Sequence, residues 1–134
     1  MSKSNTLSKQ SNVQEIHQDQ WIPFFAEFTR ENRGAHARLE IIGAGSDVGF
    51  QAETENRPFD GVSADIKDGE RTVWITFGST IADHLSHGIH SAVVVRMLPL
   101  TEHTGAVLEI ESADRTKNVL YLAAPEAYSL PHGR

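Results

Sequence analysis

The residues best suited to chemistry lie together in the segment Asp83-His84-Leu85-Ser86-His87-Gly88-Ile89-His90. This segment holds three of the chain's seven histidines and one carboxylate. Imidazole rings bind transition metals and exchange protons near neutral pH. A metal site or a proton-transfer site would therefore be expected here first.

The residues around this segment predict that part of it is helical. Thr80-Ile81-Ala82-Asp83 has the form of a capping box, with Asp in place of the preferred Glu. A short helix from Ile81 to His87 would follow, and Gly88 would end it. On such a helix Ile81 and Leu85 would share a buried side.

Two interpretations of these histidines remain open. In the first, His84 and His87 bind one metal ion from adjacent turns, while Asp83 orients a ligand histidine. His90 would join them only if Gly88 turns the chain, since six helical residues separate it from His84 by about 9 Å. Zinc is the expected ion, because imidazole suits zinc and the chain has no cysteine. In the second, they are surface histidines, and His87 stabilises the helix C-terminus.

A second pair of candidate groups is Glu109 and Glu111, which lie two residues apart in a predicted strand. Both would point to one face about 7 Å apart, which overlaps the spacing of the carboxylates in inverting glycosidases. We favour a solvated sheet face, which would place a cation opposite them; the candidates are Arg96, Arg115 and Lys117.

Trp74 lies on the less apolar face of its predicted strand. If it is exposed, it marks a surface for a ligand or partner; otherwise it packs under the helix or a loop. A dinucleotide site is excluded at Gly43-Ala44-Gly45, because no helix is predicted after it and the third glycine is missing.

Composition favours one ordinary domain. The chain has 134 residues, no cysteine and a formal net charge of -6, which excludes disulfides, thiolate metal sites and cysteine nucleophiles. Its basic residues form no run, which argues against a nucleic-acid partner. No stretch is typical of a signal peptide or membrane span, so a cytoplasmic location is expected. Residues 1-15 are predicted to be a disordered arm, 16-124 the domain and 125-134 a loose tail.

The first predicted element is an amphipathic helix from Gln20 to Asn32, capped by Asp19 and followed by Gly34. Its aromatic residues recur at helical spacing and predict a face packed on a sheet. They are Trp21, Phe24, Phe25 and Phe28.

From His36 onward the apolar period changes from 3.6 to 2, which predicts about six or seven short strands. Val62, Ala64 and Ile66 would face the core, Asp68-Gly69 would form a hairpin turn, and Ala92 to Leu98 would be buried on both faces. The expected class is α+β, mainly β: the N-terminal helix packs on an antiparallel, strongly bent sheet or a small barrel.

Three blocks occur in a fixed order and spacing. They are Trp21-Ile22-Pro23-Phe24-Phe25-Ala26-Glu27-Phe28, then Phe59-Asp60-Gly61-Val62-Ser63-Ala64-Asp65 leading to Asp83-His84-Leu85-Ser86-His87, and Leu108-Glu109-Ile110-Glu111-Ser112-Ala113-Asp114. Together they resemble a family of short bacterial proteins known only as a domain of unknown function. The resemblance covers about residues 20 to 123. It implies a bacterial, cytosolic, stand-alone domain and no particular activity. The family pattern has Asp-Gly where this chain has Asp114-Arg115, which weakens the prediction of a tight turn there.

The order of elements is also similar to Sm-like and other SH3-type small barrels. That likeness implies a barrel that assembles into rings, and RNA binding is one alternative function. The expected function is a non-enzymatic module that binds another copy of itself, another protein or a small ligand. The other alternative is a metal-binding protein or hydrolase that uses His84, His87 and His90.

Overall fold

The computed structural model of the protein describes residues 13–43, 49–51, 57–99 and 104–123. Within them one α-helix and nine strands form, and every strand pair is antiparallel. The elements are β1 (Gln14–Glu15), α1 (Trp21–Asn32), β2 (Ala37–Ile42), β3 (Gly49–Gln51), β4 (Phe59–Lys67), β5 (Glu70–Phe77), β6 (Leu85–Ile89), β7 (Ala92–Met97), β8 (Thr104–Ser112) and β9 (Lys117–Ala123).

The strands form two sheets that do not close into a barrel. The larger sheet has the order β1-β7-β8-β9-β2-β3, and the smaller has the order β4-β5-β6. The expected fold, a helix packed on antiparallel sheets in a mainly β domain, is confirmed, and of its two forms the closed barrel is excluded. The described helix is too short and too polar to cross a membrane.

The aromatic stripe of the helix is buried, as its spacing predicts. Trp21, Phe25 and Phe28 are at most 4% exposed, and Phe24 packs against them from the edge of the core. The Trp21 indole donates to the Ile16 carbonyl at 3.0 Å, so its polar group is satisfied inside the core.

The start of the helix differs from the prediction. A 3₁₀ turn, Gln18–Gln20, precedes α1, and the His17 ring accepts a hydrogen bond from the Asp19 amide. Gln20 is the N-cap of α1 and makes no side-chain cap bond, so Asp19 does not cap the helix. Gly34 follows the helix end with a φ of 93°, a conformation that favours glycine.

The core lies between the two sheets and the helix. Alternate residues of β5 (Val73, Ile75 and Phe77) are fully buried on its inner face. They face Leu39, Leu120 and Leu122 from the larger sheet, which are also fully buried. Period-2 alternation therefore places the buried residues on the inner face of each sheet.

The outer edge of β4 is covered by the helix and the chain that follows it. The Thr29 hydroxyl accepts from the Val62 amide at 3.0 Å and donates to the Val62 carbonyl at 3.1 Å. Gly34 donates to the Phe59 carbonyl, and the Phe59 amide donates to Ala35. The first half of this edge, from Phe59 to Val62, is thereby blocked from pairing with another chain.

Three local predictions are wrong. Ile66 is 52% exposed rather than inward, because β4 continues past the core toward the hairpin. Val93 on β7 is 38% exposed, since only alternate residues of that strand reach the core and a bulge interrupts its pairing. Gln14–Glu15, placed in the disordered arm, pair with Arg96 and Met97 as β1. The rest of that arm, residues 1–12, and the predicted tail lie outside the described residues.

The two tight turns form. Asp68 and Gly69 both have positive φ angles, 53° and 82°, as a type I′ hairpin turn requires. Arg115 adopts a φ of 74° in the turn between β8 and β9, although glycine would fit there with less strain.

Candidate functional site

The segment from Ile81 to His87 is not a helix. Residues 79–83 form turns, and β6 begins at Leu85, which pairs with Phe77 on β5. The contacts of the capping box do form: the Thr80 amide and hydroxyl both donate to one Asp83 carboxylate oxygen at 3.0 Å. They close a loop instead of starting a helix, because pairing with β5 takes the next residues.

The hydrogen bonds of this loop favour the ionised form of the Asp83 carboxyl group. Hydrogen bonds from the Thr80 backbone and hydroxyl, aided by the Ser79 amide and by Arg57, hold the pKa of Asp83 below its usual value. Gly78 closes the other end with a φ of 113°, and a Cβ there would lie 2.5 Å from the Asp83 carbonyl oxygen. Asp83 therefore stabilises the loop, and among the described residues no histidine ring contacts its carboxylate.

The extended backbone separates the three histidines. His87 shares the inner face of β6 with Ile89, whereas His90 contacts the outer face through Trp74 and Thr72. His84 precedes the strand and is exposed, and six extended residues span roughly 20 Å between it and His90. In the described part of the chain, no group of three or more His, Asp or Glu side chains could hold a metal ion.

His87 instead meets a residue that the sequence reasoning missed. Its Nε2 lies 2.9 Å from Oδ1 of Asn118 on β9, so the contact joins the two sheets. Asn118 is only 4% exposed, although it is polar. The signal was available: Asn118 is in register with Leu120 and Leu122, so it occupies an inward-facing position.

The His87–Asn118 contact lies in an open cleft of about 470 Å³. Residues from β2, β6 and the turn between β8 and β9 line it; among them are Ile41, Ile89, Ser112 and Asp114. The cleft is the seam that remains because β6 does not pair with the larger sheet.

Glu109 and Glu111 share the outer face of the larger sheet, as predicted, and Arg96 is the cation that faces them. The face is not solvated at Glu109, which is only 8% exposed, so that part of the prediction is wrong. Arg96 pairs with Glu109 and lies 3.1 Å from Glu111. Burial alone would lower the pKa of Arg96, but its hydrogen bonds to both glutamates outweigh this effect and raise it. These carboxylates are thus ion-paired parts of the sheet.

Trp74 is 37% exposed on the outer face of β5. It pairs across the sheet with Gly88, where a Cβ would come within 2.7 Å of the indole ring. The His90 ring meets the indole edge-on, with 6.1 Å between centroids and 83° between planes. Within the described residues the indole nitrogen has no hydrogen-bond partner, so its donor is open to solvent or to a partner.

Comparison with known proteins gives one match. The model of a family described as "Family of unknown function (DUF5335)" matches residues 12–131. No curated protein and no solved structure matches the chain. The family predicted from the three sequence blocks, one of unknown function, is therefore confirmed.

Proposed function

The chain belongs to the DUF5335 family, whose function is unknown, and we propose that it is a non-enzymatic module that associates with a second copy of itself. The contact surface is the outer face of β5 and β6, called here the Trp74 face. It consists of Thr72, Trp74, Thr76, Ser86, Gly88 and His90. The observation that carries the proposal is the exposed ring of Trp74 at the centre of this face.

Tryptophan is the residue type most often found at the energetic centre of protein interfaces. Here its ring is already held in place, because it lies on Gly88 and its edge is packed by His90. Binding therefore freezes little additional side-chain motion. The open indole N–H can donate to a hydroxyl of the facing copy, such as Ser86.

Charge favours a second copy as the occupant. The chain carries a formal net charge of -6, so most pairs of surfaces would bring like charges together. On β5 and β6 the Trp74 face bears no fixed charge, because its polar groups are hydroxyls and an imidazole. Carboxylates border it along β4, where Asp65 lies opposite Thr72 and Asp60 accepts from the Thr76 hydroxyl. Two such faces can meet around a two-fold axis without repulsion at the centre.

The size of the face limits the strength of the association. Two strands at about 4.8 Å spacing and eight residues at about 3.3 Å give roughly 250 Å² per copy. Stable dimers bury about 800 Å² per partner. We therefore expect a transient dimer with a dissociation constant of about 100 μM or weaker.

The non-enzymatic part of the proposal is supported by what the candidate acids do. Asp83 is bound by Thr80, and Glu109 and Glu111 are bound by Arg96. Each carboxylate that the sequence suggested for chemistry thus has a structural partner.

Sedimentation equilibrium over a range of concentrations tests self-association. The weight-average mass of the wild type should rise from 14.8 kDa toward twice that value as concentration approaches about 1 mM. Trp74→Ser should hold the mass at the monomer value. Ile66→Ser is the matched control, because Ile66 is exposed but lies off the Trp74 face. A wild type that stays monomeric, or an equal effect of both substitutions, would contradict the proposal.

A further inference from the structure

The cleft beside β6 contains hydrogen-bonding groups that the described chain leaves unused. Asn118 offers a carbonyl and an NH₂ group, and His87 offers two ring nitrogens, yet one contact at 2.9 Å is the only side-chain hydrogen bond either makes among the described residues. Buried polar groups are normally paired, and an unpaired amide in a nearly buried side chain is unfavourable. Asn118 is 4% exposed and lines the cleft, so its free end is available to a molecule that enters.

The unused groups form a complementary pair whichever way the amide is oriented. If the Asn118 carbonyl accepts from His87 Nε2–H, then the Asn118 NH₂ remains a donor and His87 Nδ1 remains an acceptor. If the amide is turned around, the Asn118 carbonyl becomes the free acceptor and His87 Nδ1–H the free donor. In both cases the cleft presents one donor and one acceptor.

The rest of the lining restricts the charge of the occupant. Among the described residues that line the cleft none is Lys or Arg, and one, Asp114, is acidic. Asp114 already accepts from the Thr116 amide at 3.0 Å, and hydrogen bonds from the Thr116 backbone and hydroxyl lower its pKa. An anion would meet this carboxylate without a compensating cation, so the lining favours a neutral molecule.

The cleft also has an apolar side. Ile41 from β2 and Ile89 from β6 face it, and its volume of about 470 Å³ lies within the range of small-molecule sites. A ligand that fits should therefore carry a flat or compact apolar body next to its polar edge.

We propose that the Asn118–His87 cleft binds a small neutral molecule whose polar edge is a carboxamide or an equivalent donor–acceptor pair. The amide edge of the ligand would complete the hydrogen bonds of both side chains, and its apolar body would lie on Ile41 and Ile89. His87 and Trp74 are on opposite faces of the smaller sheet, so the polar groups of the cleft are distinct from the centre of the Trp74 face, although Gly88 and His90 border both.

Benzamide, acetophenone and benzoate test the chemistry directly, with the full chain and two-dimensional NMR. Benzamide has both edge groups, acetophenone lacks the donor, and benzoate replaces the amide with a charge. Benzamide should shift the side-chain NH₂ signals of Asn118 with a dissociation constant in the millimolar range, about 1–10 mM. The other two compounds should bind about tenfold more weakly or not at all.

Two substitutions connect binding to the named groups. Asn118→Asp replaces the NH₂ donor with a carboxylate oxygen of almost the same shape, and the backbone amide signals of the cleft residues, which this variant keeps, should report benzamide binding about tenfold weaker. His87→Phe keeps an aromatic ring without nitrogens, at a half-buried position where folding is less at risk, and should have a similar effect. Ser86→Ala, on the opposite face of β6, is the matched control and should leave benzamide binding unchanged.

The outcomes separate this site from self-association. Asn118→Asp should leave the concentration dependence of the mass unchanged, and Trp74→Ser should leave benzamide binding unchanged. If the Asn118 NH₂ signals do not respond to benzamide at about 10 mM, or if benzoate binds equally well, the inference is overturned.

Discussion

The two hydrogen bonds between the Thr29 hydroxyl and the Val62 backbone, called here the clasp, give the sharpest test of how the helix supports the smaller sheet. One hydroxyl satisfies both the amide and the carbonyl of Val62, on the outer edge of β4, at 3.0 and 3.1 Å. Thr29→Val keeps the size and branching of the side chain but removes the hydroxyl. It leaves two backbone groups of a half-buried edge without a partner.

The expected loss follows from these two bonds. Each hydrogen bond contributes about 0.5–1.5 kcal/mol net, and leaving its partner unsatisfied adds to the penalty when water cannot reach it. Since the site is only partly buried, we expect Thr29→Val to lower the free energy of unfolding by about 2–3 kcal/mol. Thr29→Ser keeps the hydroxyl and loses one methyl group, so it should cost only about 0.8 kcal/mol.

Urea unfolding followed by circular dichroism measures both values under identical conditions. The decisive quantity is the difference in unfolding free energy between the two variants. Thr29→Ser loses only the methyl group, whereas Thr29→Val loses only the hydroxyl. A second readout follows from the exposed edge: Thr29→Val should aggregate more readily than Thr29→Ser at equal concentration. If Thr29→Val is as stable as Thr29→Ser, the clasp does not stabilise the sheet and our account of the β4 edge is wrong.

Three further substitutions test other parts of the structure. Gly88→Ala should displace the Trp74 ring, since the new Cβ would lie 2.7 Å from it; tryptophan fluorescence should change and self-association should weaken. Arg96→Met leaves Glu109 and Glu111 facing each other without a cation, and should lower the free energy of unfolding by about 2–3 kcal/mol at pH 7. Part of this loss should be recovered in acid, where the glutamates become protonated, and urea unfolding at both pH values would detect the recovery. The Thr80 hydrogen bonds lower the pKa of Asp83. The contribution of Asp83 to folding stability is therefore complete above its ordinary pKa and is lost as pH falls through the pKa of the folded state. Asp83→Asn should flatten this part of the stability–pH curve, and an unchanged curve would argue against the loop contacts.

The parts of the fold that depend on local chemistry could be predicted from the sequence. The aromatic spacing of α1 and the Asp68-Gly69 turn are set by a few neighbouring residues, and both appear as expected. Inward positions on β5 also follow from simple alternation. Ile66 does not, because its exposure depends on how far β4 extends beyond the core, which no local pattern encodes.

The segment after Phe77 shows where local reasoning fails. Its capping contacts form, yet a helix of seven residues gains few hydrogen bonds for the cost of starting it. Pairing with β5 along five residues satisfies the backbone groups of β6 that point toward β5 and buries Ile89. Ile81, expected on a buried helical side, is consequently 96% exposed. Pairing with β5 is therefore favoured over the local helix, and the sequence of the segment alone does not reveal this pairing.

The register of β6 against β5 underlies both the self-association surface and the ligand cleft. Ile75 lies opposite His87, and Trp74 lies opposite Gly88, so adjacent residues of β6 serve opposite faces. A slip of one residue would turn His87 away from Asn118 and place a bulky side chain under the indole ring. Burial of Ile89 beside Val73 opposes such a slip, because it would expose an isoleucine. Apolar packing at the end of β6 thus positions a glycine and a histidine for two separate contacts.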